Sequence, residues 1–116
     1  MDDLVKKLCN KHKIEIINPE KSIKALIECI NRNYVHILFT ETGTELGIQI
    51  DKRDSIINDN YFKKQKGQIH LVGFLTLNYV KVRCIADINL ETLSGQGWLE
   101  PTSDEQYYRI IKNEDD

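Results

Sequence analysis

The sequence predicts an α+β fold: a mainly antiparallel sheet of about five strands with helices packed on one face, in a single two-layer domain. Three observations lead there. Two stretches near the N-terminus repeat their apolar residues at helical spacing, whereas the stretches after Tyr34 alternate apolar and polar residues at the period of a strand. The strand-like runs follow one another through short turns, which only antiparallel pairing allows. The chain has 116 residues, 41% hydrophobic and 29% charged, the size and balance of one globular domain. Residues 1–116 are therefore read as one unit, with residues 113–116 as a frayed tail.

Residues 3–12 read as a short helix, because Leu4, Val5, Leu8 and Cys9 share one face. Asn18-Pro19 breaks it, and residues 20–32 form a second helix with Ile23, Leu26, Ile27 and Ile30 as its stripe. Tyr34 to Thr40 is β-branched and aromatic, and Glu45 to Asp51 alternates, so the two form a hairpin around Gly43. Ser55 to Lys64 is read as a short helix with Ile56, Ile57 and Tyr61 inward. Gln68 to Asn78 and Val80 to Ile88 form a second hairpin, with Val80, Val82, Cys84, Ala86 and Ile88 inward. Leu93 to Gly97 reads as a turn, Gly97 to Glu100 as a short last strand, and the residues after Pro101 as a helix capped by Thr102 or Ser103. Both the Tyr34–Thr40 strand and the last strand are candidate sheet edges, so a sheet-edge dimer is one expectation.

Composition narrows the function. No apolar run approaches the roughly 20 residues that cross a bilayer, which argues against a membrane role. The N-terminus lacks the apolar core of a signal peptide, which places the expected site of action in the cytoplasm. Cys9, Cys29 and Cys84 are an odd set without a C-x-x-C pair, so they read as reduced, buried thiols. The sequence holds 16 Ile, 12 Lys and 9 Asn against 2 Ala, which implies an A/T-rich gene and fits a bacterium or phage.

No catalytic or cofactor motif emerges. His12, His36 and His70 lie apart, and a metal site needs several such ligands to converge. Cys84 beside His70 on adjacent strands is a conceivable nucleophile–base pair, but its inward position predicts burial. Asp51 and Asp54, with Glu41 and Glu45, carry the donor types of a magnesium site at a spacing that matches no nuclease motif. The glycines follow no phosphate-binding pattern. No cofactor, metal site or enzymatic activity is expected.

Charge is uneven: the net charge of −2 divides into +4 over residues 1–83 and −6 over residues 84–116. The acidic third mixes carboxylates with aromatic anchors, a combination suited to protein recognition. Trp98, Glu100, Asp104, Glu105 and Tyr108 are the expected partner-binding residues. The function expected from this pattern is a small immunity or inhibitor-type protein that neutralises a basic partner, such as a toxin nuclease domain, by occlusion. Two alternatives stand beside it. One is a nucleic-acid-associated regulator of a phage or mobile element using Lys52, Arg53, Lys63, Lys64 and Lys66, although the negative total charge opposes nucleic-acid binding. The other is a small metal-dependent hydrolase around Glu41, Asp51 and His70.

Overall fold

Six antiparallel strands close on themselves into a barrel in the computed structural model, which describes residues 3–17 and 21–102. This overturns the expected open two-layer sheet with a helical layer. Alternation shows that a strand buries one face, but that face can line the inside of a barrel as well as the underside of a sheet.

The strand missing from the expectation makes the difference. Helix α1 (Asp3–Leu8) ends earlier than its apolar spacing implied and buries Val5 and Leu8. Strand β1 (His12–Ile16) follows, with Ile14 and Ile16 inward and Lys13 and Glu15 outward. Helix α2 (Ile23–Asn31) is capped by Ser22, whose hydroxyl oxygen accepts from the Ala25 N–H at 3.1 Å. It buries Ala25, Leu26 and Ile30 and packs on β2 (Tyr34–Phe39). Strand β2 pairs with β3 (Thr44–Ile50) over six residues, from Tyr34 opposite Gln49 to Phe39 opposite Thr44. Helix α3 (Asp59–Lys64) is one short element capped by Asn58. Ile56 and Tyr61, expected inward, are 69% and 39% exposed, because this segment lies outside the barrel wall.

The second hairpin forms as expected. Strands β4 (Gln68–Leu77) and β5 (Val80–Asn89) pair over ten residues. Asn78 and Tyr79 join them with φ of 48° and 66°, the two left-handed residues of a type I′ turn. Strand β6 (Ser94–Pro101) begins where a turn was expected and pairs with β5 over eight residues. It also pairs with β1, from His12 opposite Gly97 to Glu15 opposite Ser94, and β1 pairs with β2. Both candidate edge strands thus have partners on each side, which removes the edges on which the dimer expectation stood. The expected C-terminal helix falls beyond the described residues.

The interior is filled by the inward rows of all six strands. Ile14, Ile37, Phe39, Ile48, Ile50, Leu71, Cys84 and Ile88 are all fully buried there. Burying an isoleucine side chain contributes on the order of 1.5–3 kcal/mol. Removing most of it in a packed core costs about 2–5 kcal/mol. Ile14→Ala is therefore expected to lower the urea unfolding free energy by about 2–5 kcal/mol. Lys13→Ala, one residue away on the outer face, should change it by less than about 0.5 kcal/mol. Equal effects would show that β1 does not line the barrel.

Candidate protein-docking face

The shortest ladder in the wall is that between β3 and β4, which holds two residue pairs: Gln49 with Phe74 and Ile50 with Gly73. At this crossing β4 approaches so closely that a Cβ on Gly73 would meet the Gln49 carbonyl oxygen at 2.7 Å. On one side of the crossing the chain after Ile50 stays on β4. The Asp51 N–H donates to the Val72 carbonyl at 2.7 Å, and Ser55 Oγ accepts from the Val72 N–H at 2.9 Å. Ile56 and His70 then exchange two backbone bonds of 2.7 and 3.0 Å. Asp51 is itself buried, and its Oδ1 accepts from the Arg53 N–H at 3.0 Å, which fixes this turn.

On the other side of the crossing the strands part. A cleft of about 400 Å³ opens there, lined by Tyr34, Glu45, Gly47, Phe74, Thr76 and Leu77 among others. Tyr34 lies flat across Gly47, where any Cβ would collide with its ring, and it meets His36 edge-on at 5.1 Å.

Register extends the cleft into a face. Tyr34 lies opposite Gln49, Gln49 opposite Phe74, Phe74 opposite Arg83, and Arg83 opposite Glu100. These side chains form one outward row across five strands, because paired residues share a side of the sheet. The next row is Val72, Ile85 and Trp98. Val72, Phe74 and Ile85 are buried, yet they stand outside the interior cluster. Arg83 spans the row, 3.5 Å from Asp54 Oδ2 and 3.8 Å from Glu100 Oε1. Trp98 Nε1 donates to Glu100 Oε2 at 3.3 Å, and Lys11 Nζ sits 5.3 Å from the indole centroid. Of the expected partner-binding residues, Trp98 and Glu100 thus lie on this face. Asp104, Glu105 and Tyr108 fall beyond the described residues. Pattern reading missed Tyr34, Gln49 and Phe74, whose common feature is register rather than residue type.

The chemical alternatives do not assemble. His70 Nδ1 faces Asp87 Oδ1 at 2.7 Å on the outer wall, whereas Cys84 points into the barrel. His36 pairs with Gly47 on the far side of β3 and does not approach His70. Asp51 is occupied by Arg53, and Glu41 Oε2 faces His12 Nδ1 at 3.1 Å, so neither joins a common site. Among the described residues no group of three or more His, Cys, Asp or Glu side chains converges. No described helix is long and apolar enough to cross a membrane.

What the barrel offers is an outer face with a cleft beside its shortest ladder. The sequence profile of the core binding factor beta subunit matches residues 19–114. The chain belongs to that family. Comparison with curated proteins finds no match.

Membership corrects the functional expectation. Family members are non-catalytic subunits, and this chain is not an enzyme. They are eukaryotic and bind Runt-domain transcription factors, so the immunity reading, the basic toxin partner and the bacterial or phage origin all fall. A high content of Ile, Lys and Asn reports codon composition, which is not confined to bacteria. A surplus of acidic residues reports charge, which many unrelated interfaces share.

Burial pushes the Cys84 thiol up to about 12. Burial also raises Cys9, helped by the nearby Glu100, and raises Cys29 against the opposing pull of Arg32. Cys9 and Cys29 are only half-buried, so a thiol reagent should modify two cysteines in the native protein and the third only after denaturation. The buried thiol favours the fold fully below the ordinary value of 9.0, and that contribution is lost as pH rises toward about 12. Cys84→Ala should therefore flatten the decline of stability above pH 9 measured by urea titration. An unchanged slope would place the alkaline sensitivity elsewhere.

Proposed function

We propose that this chain is the accessory subunit of a transcription factor and holds a Runt-type DNA-binding domain on the face that runs from the β3–β4 cleft to β6. The cleft carries the proposal. The closed barrel has its shortest ladder, two residue pairs, between β3 and β4, and the cleft opens beside it. Beyond that ladder β3 presents Glu45 and Gly47 to the opening. A segment laid into such an opening finds strand edges for backbone bonds and side-chain walls for specificity. Arg83 and Glu100, in the same row as the buried Phe74, extend the platform, and Trp98 stands beside them. Asp104, Glu105 and Tyr108, which follow β6 in sequence, stay in the proposal as partner contacts. Residues 1–116 act as one unit in this reading. The protein is made in the cytoplasm and works in the nucleus with its DNA-binding partner.

Thr76 is exposed on the cleft wall, and its outward position tolerates a large side chain. Thr76→Trp is expected to fill the cleft and weaken calorimetric affinity for a purified Runt domain at least tenfold, about 1.4 kcal/mol. Its melting temperature should stay within about 2 °C of the parent. Undiminished affinity would remove the cleft from the interface. The double change Asp104→Lys with Glu105→Lys should act mainly on the association rate, and more strongly at low salt, as rim charges do.

A further inference from the structure

We propose that Thr102, at the end of β6, is a phosphorylation site for an acid-directed protein kinase, and that the phosphate pairs with Lys81 on β5. This site does not depend on the docking reading above.

Sequence and sheet meet at this residue. Of all the serine and threonine residues in the chain, only Thr102 has carboxylates at both the second and the third following positions, Asp104 and Glu105. A kinase of the acid-directed class reads those positions with basic side chains, as acidic motifs are generally read. Glu100 lies two residues before, and no lysine or arginine follows until Arg109. Thr42 is the other hydroxyl with a carboxylate three residues on, Glu45. It sits inside a turn that the β2–β3 ladder closes, with its oxygen 3.4 Å from the Phe39 carbonyl and 2.7 Å from Thr44 Oγ1.

The end of β6 is presented differently. Strand β1 pairs with β6 only as far as Gly97, opposite His12, so from Trp98 onward β6 has a strand partner on the β5 side alone. The β5–β6 ladder closes with Val82 opposite Pro101, which is exposed and has no N–H to give. One further bond, from the Thr102 N–H to the Lys81 carbonyl at 3.1 Å, holds the next residue. Lifting Thr102 into a kinase cleft therefore breaks one ladder bond, at a strand end, where local opening takes the least free energy.

The same bond sets what receives the phosphate. It places Thr102 directly opposite Lys81, and side chains so paired share a side of the sheet with Cβ atoms about 4.5–5.5 Å apart. A phosphothreonine carries a charge of about −1.5 to −2 at pH 7 and three strong acceptor oxygens, which suit an ammonium at that separation. Glu100 shares this side of β6, but Arg83 stands 3.8 Å from its Oε1 and Trp98 Nε1 donates to its Oε2. Lys81 is also opposite Thr76, which lines the β3–β4 cleft, so the added charge falls at the rim of the cleft. In the transfer, a bond forms between Thr102 Oγ1 and the γ-phosphorus of ATP as the bond from that phosphorus to the β,γ-bridging oxygen breaks. ADP leaves, and the hydroxyl proton passes to the catalytic carboxylate of the kinase.

The test uses the full chain with casein kinase II and magnesium ATP. Tandem mass spectrometry should find one phosphoryl group, on Thr102. Thr102→Val should lose it, Ser103→Ala should keep it, and Glu105→Gln should slow the transfer at least about tenfold. Phosphorylation should raise the melting temperature by about 3 °C at low salt, and Lys81→Met should abolish that gain. Each chain is compared with its own unphosphorylated form, which cancels any effect of the lysine on the unmodified fold. No transfer to the folded parent, or transfer to Ser103 instead, would overturn the site. A fall in melting temperature, or a gain that survives Lys81→Met, would overturn the pairing.

Discussion

Everything in this protein depends on the pairing of its first strand with its last. Strand β1 is five residues long, yet it pairs with β2 on one side and β6 on the other. Without it the five remaining strands would be an open sheet with two unsatisfied edges. Its alternate residues Ile14 and Ile16 enter the interior, so closing the wall and filling the core are one event. Neighbouring groups hold the strand in register. The Ile16 N–H donates to the Leu93 carbonyl at 2.9 Å, and the Ile17 N–H donates to the His36 carbonyl at 3.2 Å. His12 Nε2 donates to the Lys7 carbonyl at 2.8 Å and so ties the end of α1 to the start of the strand.

Closure at that point fixes where the barrel is weakest. Six short strands cannot all pair along their full length once the wall curves and twists. Here the slack collects between β3 and β4. Strand β5 is paired along nearly its whole length on both sides, and β2 and β3 share six residue pairs. Gly73 lets β4 cross β3 at close range, the segment after Asp51 takes over the pairing on one side, and the cleft is left on the other. The opening is thus a product of the same geometry that seals the rest of the wall. The barrel has in this way a strand-lined cleft without an exposed full-length edge.

Much of this was legible in the residues, and the limits follow from what periodicity carries. Most of the α2 stripe, the two hairpins and the inward set of β5 were readable, because each depends on neighbours in sequence; Ile27, expected on the stripe, is 36% exposed, and Ala25 is buried instead. Strand β1 was not, since His-Lys-Ile-Glu-Ile offers only two inward residues and follows a helical pattern directly. The start of β6 was not, because Ser-Gly-Gln-Gly has the composition of a turn. Closure was not, because it depends on β1 meeting β6 across nearly the whole chain. The site divides in the same way. Trp98 and Glu100 were singled out by residue type, and they lie on the outer side of β6, Trp98 opposite Ile85 and Glu100 opposite Arg83. Tyr34, Gln49 and Phe74 join them only through the register of three ladders, which no local pattern contains.

The face owes its suitability for binding to the same ladders. Side chains on paired strands are positioned by backbone geometry, so less freedom is lost when a partner arrives than on a loop. Val72, Phe74 and Ile85 are packed although they point away from the core. Arg83 is held between Asp54 and Glu100, and its Nε is buried without a hydrogen-bond partner among the described residues. Ion pairs this exposed add little stability by themselves, at most about 1 kcal/mol each. Their effect here is geometric: they fix a long, flexible side chain across the middle of the row. The barrel therefore presents an outer surface already arranged, and the part of its wall where the ladder is shortest stands beside it.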